Sequence, residues 1–268
     1  MLGSISFLVL MAGVTAGAPG ADGPYHKTSE TVEYKCLFNH ELLIVCHKKD
    51  ISPEYVASFI EKLEDTDVDA VMCCPTMWRT NVYPSRIDPG WKRYTPGQEP
   101  STFRSFDHIM NYLHGGGDPV KETLDACRKC GKDFFISYRM NDHHYVTDPA
   151  WPTHNYFWRE HPEYWLADSN TSPYARGRDD VRLFNYMIPE VRDYYYSILE
   201  ELCANYDVDG VELDFQRFPR FFHNERIQEG TPVMTAFVVP GHSPLPCQSA
   251  VTSGFSPTSL GGRAISPA

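Results

Sequence analysis

Glu212 and Asp214 lie two positions apart in the stretch Tyr206-Asp-Val-Asp-Gly-Val-Glu-Leu-Asp-Phe-Gln-Arg-Phe-Pro219. Two residues is the repeat of a β-strand, so both carboxyls point to one face while Val211, Leu213 and Phe215 point to the other. Cleavage of a glycosidic bond uses two carboxyl groups across the bond, one attacking or activating water and the other supplying a proton. Glu212 and Asp214 stack along one wall, so the pair alone does not supply that arrangement. Asp214, nearer the carboxyl end of the strand, takes the nucleophile or base role in this reading. Glu212 lies deeper, and Arg139 is its expected ion-pair partner because a buried charge needs one.

Other residues have types suited to holding a substrate. Arg217 can bind a hydroxyl or lower the pKa of Asp214. Asn141, Asp142, His143 and His144 follow a strand and can position sugar hydroxyls. The flat apolar rings of Trp78 and Trp158, with Arg79 beside the first, suit the C–H faces of a pyranose. Trp165 reads as packing. Asp and His in this order also suit zinc or manganese, but no HxxE or HExxH spacing accompanies them, so neither a metal nor a cofactor is expected.

These side chains need a scaffold. The apolar run Glu41–His47 reads as a first strand, and Ser52-Pro53 opens a helix with a cap and a first-turn proline. Val68–Pro75 reads as a second strand, and Asp118-Pro119 starts a helix that Gly131 ends. Asp133–Asp142 reads as a third strand, whose Phe135, Ser137, Arg139 and Asn141 form the more polar face, directed inward with Glu212 and Asp214. Pro189–Tyr206 is a strong helix leading into the fourth strand. Alternating strands and helices predict a parallel α/β fold of the (β/α) barrel type. The long connections Thr76–Asp118 and Asp142–Tyr186 both follow strands and so share one mouth.

The pattern stops after four βα units, about half of a full barrel, as a truncated one would. Glu225–Val238 can begin another helix. Residues 239–268 contain no Asp or Glu and are dominated by Pro, Ser, Gly and Thr. That is the composition of a disordered segment or of sequence read out of frame. The partial barrel is therefore assigned to residues 24–238. At the other end, Ile5–Ala18 resembles the apolar core of a secretory signal although no Lys or Arg precedes it, so residues 1–23 read as a signal or an unstructured leader and export is the expectation. The apolar run is too short to span a bilayer. A net charge of -11 without basic runs argues against nucleic acid. The eight cysteines sit mostly in apolar segments, as packing thiols do, with a disulfide the alternative if the chain is exported.

Three segments resemble a known family: Phe157-Trp-Arg-Glu-His-Pro-Glu-Tyr-Trp165, Leu183-Phe-Asn-Tyr-Met-Ile-Pro-Glu-Val-Arg192, and the stretch from Tyr206 to Pro219. Together they are similar to the glycosyl-hydrolase-like 10 family and its relatives among amylase-like TIM barrels. The resemblance implies a TIM barrel, a carbohydrate partner, and a catalytic carboxylate at the end of the fourth strand, which falls on Asp214. Relatives often carry a second acid directly after that aspartate, where Phe215 stands here. Three functions are compatible: a glycoside hydrolase, a non-catalytic carbohydrate-binding or scaffold protein, and a metal-dependent hydrolase. A half-barrel also leaves strand edges unpaired, which predicts self-association.

Overall fold

The computed structural model describes residues 34–97, 101–166, 182–215, 219–238 and 250–251. Five parallel strands form one sheet in the order β1 (Leu37–Glu41), β2 (Ala70–Cys74), β5 (Asp133–Arg139), β6 (Gly210–Asp214) and β7 (Ala250–Val251). The intervening β3 (Thr76–Met77) and β4 (Thr80–Asn81) make a separate antiparallel hairpin. Helix α1 (Pro53–Glu61) joins β1 to β2, α4 (Pro119–Lys129) precedes β5, and α6 (Pro189–Asn205) precedes β6. The result is a partial (β/α) barrel.

Helices α1 and α4 start where the sequence supplies oxygen acceptors for free N–H groups. Ser52 Oγ accepts from Tyr55 N at 3.3 Å at the start of α1, and Asp118 accepts from Lys121 N at 3.1 Å at the start of α4. Gly131 follows α4 at φ 65°, a left-handed turn that glycine makes without steric cost. Val56 and Ile60 of α1, Val120 and Cys127 of α4, and Ile198 and Leu202 of α6 pack with Val71, Phe134, Ile136 and Val211 in one core.

Three expectations need correction. The first strand is Leu37–Glu41, and the apolar run after it is a 3-10 helix, Leu42–His47. Its buried residues Leu42, Val45 and Cys46 have helical rather than alternating spacing. The connection after β2 also holds α2 (Gly90–Arg93) and α3 (Arg104–His114), the latter burying Ile109, Met110 and Leu113. Finally, the cysteines are not all thiols: Cys46, Cys73, Cys74 and Cys127 are buried and free, but Cys203 is disulfide-bonded.

After β5 come α5 (Tyr156–Glu160) and, beyond β6, α7 (Ile227–Val238). The leader and nearly all of residues 239–268 lie outside the described residues, and only the two-residue β7 is seen there. Among the described residues no helix is long and apolar enough to cross a membrane.

Candidate active site

Alternation along the parallel strands builds the inward face in layers. At the foot, Ala70, Met72 and Phe135 form a small apolar cluster against Tyr34 and Leu37. One level higher, Ser137 stands beside Glu212 in register and donates a hydrogen bond to its carboxyl. At the carboxyl end, the strands finish in Glu41, Cys74, Arg139 and Asp214, with Glu41 level with Cys74 and Arg139 level with Asp214. Barrel folds keep their chemistry at this end.

The same register corrects the expected Arg139–Glu212 pair, because it sets Glu212 one level below the guanidinium. Arg139, with its side chain 4% exposed, instead reaches three other carboxylates. Its Nη2 is 3.1 Å from Glu41 Oε1, its Nη1 3.6 Å from Asp142 Oδ2, and its Nε 4.0 Å from Asp214 Oδ2. Burial disfavours its charge, but Cys74, Glu41, Asp142 and Asp214 more than compensate and raise its pKa.

Each acid has a distinct environment. Burial pushes Asp142 up, but the His144 hydrogen bond and the charges of Arg79 and His144 outweigh it and hold the carboxyl below its ordinary range. His144 Nδ1 lies 2.9 Å from Asp142 Oδ1, and the His144 backbone N–H donates to the same oxygen at 2.8 Å. Glu212 is shifted the other way: burial, with the nearby charge of Asp214, raises its pKa despite the Ser137 hydrogen bond. Asp142 and Glu212 are thus shifted in opposite directions, which is how environments divide acid and base roles between carboxyl groups.

The remaining sequence candidates divide. Trp158 is 0% exposed and donates its indole N–H to Arg182 O at 2.6 Å, so it packs inside the fold and offers no face to a ligand. Arg79 is also buried; its guanidinium lies 5.0 Å over the Trp158 ring and donates to His144 O at 3.1 Å, so it supports the mouth from behind. Asn141 is buried and spends its amide on the carbonyls of Arg220 at 3.0 Å and Phe184 at 3.4 Å, which makes it a loop anchor rather than a sugar contact. His143 and Trp78 are half-buried on the loops after β5 and β2. Arg217 lies outside the described residues.

One member of the site escaped sequence reasoning: Glu41 closes β1, which the sequence pattern does not mark as a strand. His144, one of the two adjacent histidines the sequence offered, engages Asp142 through its ring and backbone N–H. No group of three or more His, Cys, Asp or Glu side chains suited to a metal ion occurs among the described residues.

Residues 39–229 match the family described as Glycosyl hydrolase-like 10. The chain is 25% identical over 174 residues to Glycosyl hydrolase YngK of Bacillus subtilis (strain 168), a match covering 64% of this chain and 29% of that protein. The chain thus spans less than a third of that relative. Among solved structures it is similar to the noncanonic maltogenic alpha-amylase AmyB from Thermotoga neapolitana, with 15% identity, a TM-score of 0.41, and 66% of this chain and 38% of that one covered. It is also similar to alpha-L-fucosidase isoenzyme 2 from Paenibacillus thiaminolyticus, with 14% identity, a TM-score of 0.41, and coverage of 68% and 23%. The family match spans well over half of the sequence, including every carboxylate around Arg139, and the chain belongs to the glycosyl hydrolase-like 10 family.

Proposed function

We propose that this chain binds a carbohydrate at the carboxyl end of its sheet and carries part of the machinery that hydrolyses a glycosidic bond. The observation that supports this reading best is the convergence of Glu41, Asp142 and Asp214 on Arg139 at the ends of β1, β5 and β6. Asp214 is the nucleophile or base, and Glu212, which holds its proton more tightly than an ordinary glutamate, is the candidate donor. Glu41 and Asp214 flank the same guanidinium, with Glu41 Oε1 at 3.1 Å from one of its nitrogens and Asp214 Oδ2 at 4.0 Å from another.

The test is turnover and binding in parallel. Asp214→Asn is expected to lower hydrolysis at least about a hundredfold while sugar binding persists, because the amide keeps the shape and loses the nucleophile. Binding without turnover in either protein, unchanged by the substitution, supports the non-catalytic carbohydrate-binding reading instead. That second reading draws on Phe215, which replaces the acid often found after the aspartate in relatives. The outer edge of β1 is, in addition, a surface through which copies of the chain can associate.

A further inference from the structure

Two described residues other than glycine hold a left-handed backbone: Trp78 at φ 54° and Tyr145 at φ 56°. A side chain in that region crowds its Cβ against the following carbonyl oxygen. Trp78 opens the two-residue turn between β3 and β4, a position that glycine fills at least cost. The two strained residues touch, with ring centroids 4.9 Å apart, although they come from loops following different strands.

Both turns are pinned from behind by one segment. Asn155 Nδ2 donates to Arg79 O at 3.1 Å, and Thr80 Oγ1 donates to Thr153 O at 2.7 Å, which fixes the Trp78 turn. His154 Nε2 donates to Tyr145 O at 2.9 Å, while its Nδ1 accepts from Arg79 at 3.2 Å. Burial, with the charge of Arg79, lowers the His154 pKa to about 4, so the ring stays neutral and keeps that tautomer. Arg79 also holds His144 O. Strain that persists under so many restraints marks a ligand-contacting or switching position more often than a packing one.

Tyr145 is displayed at the surface and Trp78 is half-buried beside it. Tyr145 is 41% exposed and is backed by Trp151, stacked at 4.0 Å and 8°. Phe103 supports Trp78 from 4.9 Å, and the His144 ring, bonded to Asp142, lies 5.6 Å from Trp78. The rim is therefore continuous with the carboxylate cluster. We propose that Trp78 and Tyr145 form an aromatic rim that takes the C–H face of a pyranose unit next to the one at Asp214. This assignment rests on the carbohydrate reading above and adds to it a second sugar unit, hence an oligosaccharide ligand.

The experiment starts from the full chain on an array of α- and β-linked hexose and N-acetylhexosamine oligomers, followed by calorimetric titration of the tightest binder. Tyr145→Gly removes the ring and relaxes the backbone, and Tyr145→Asn does the same with a residue that tolerates the left-handed region. Both are expected to bind about tenfold more weakly. Both are also expected to melt no lower than the parent, whereas a ring kept for packing would lower the midpoint by about 5 °C. Tyr145→Phe should bind as the parent does. Unchanged affinity in the Gly and Asn variants overturns the rim and leaves the carbohydrate reading intact. If the parent chain binds no oligomer on the array, both fall.

Discussion

Glu212 and Asp214 occupy successive levels of one strand face, yet their surroundings differ. Glu212 is half-buried, accepts from the Ser137 hydroxyl and feels the charge of Asp214, whereas Asp214 is at the level of Arg139. A donor must carry its proton, and the raised pKa of Glu212 extends the protonated form to higher pH. The rate is therefore expected to fall as pH rises through that value. Glu212→Gln cannot deliver a proton, so a pH–rate profile should show low turnover and no such alkaline limb. An unchanged limb in the glutamine variant would assign it to another group. The alternation that places both acids inward was visible in the sequence, but Arg139's partners were not. Partner choice depends on the stagger between parallel strands, which no local pattern encodes. Trp158 shows the converse: its chemistry suited a sugar, but burial is set by segments distant in sequence.

At the scale of elements, the loop between β4 and α2 is fastened to α6 by acids. Glu201 accepts from Ser85 Oγ at 2.6 Å and from Arg86 N at 2.6 Å. Next to it, Asp88 is buried, and desolvation raises its pKa from 3.8 to about 7 against hydrogen bonds from Tyr194 and the Tyr156 backbone. Asp88 binds its proton more tightly folded than unfolded, so its contribution to stability is complete below pH 3.8 and is lost as pH rises to about 7. The difference amounts to about 4 kcal/mol at most. Asp88→Asn is expected to melt higher than the parent at pH 8 and to flatten the dependence across that window, which thermal melts at several pH values will check.

Elements announced by a cap or first-turn proline and by periodic apolar residues, such as α1, α4 and α6, were legible in the sequence. Helix α3 was not, because its buried face includes Ser105 and Asp107, whose polarity masks the helical repeat. Strand β1 was missed for a related reason: Asn39, His40 and Glu41 are polar, and the apolar run beside them drew the assignment.

For the whole molecule, the outer edge of β1 carries no partner strand among the described residues. Exposed strand edges pair with other chains unless charge or proline blocks them. Light scattering is expected to give a molar mass above the 30.6 kDa of one chain, and Asn39→Lys, which sets a charge on the exposed Asn39 position of that strand, should lower it. A monomeric parent would show that the edge is covered.

At the opposite end from the mouth, acids at the strand feet tie each unit to an earlier one. Asp69, just before β2, accepts from the backbone N–H groups of Lys35 and Cys36 at 2.6 and 2.8 Å, just before β1. Asp209, just before β6, accepts from Phe134 N of β5 at 2.7 Å and from Arg128 of α4. In both cases the carboxylate that secures a strand belongs to the unit that follows. A ribosome releases the chain in the other order, so during synthesis each of these strands waits for its successor before its foot can be fastened. The sheet is in this sense ratcheted from its growing end, and a stall after Arg139 but before Asp209 would leave β5 complete but unlatched.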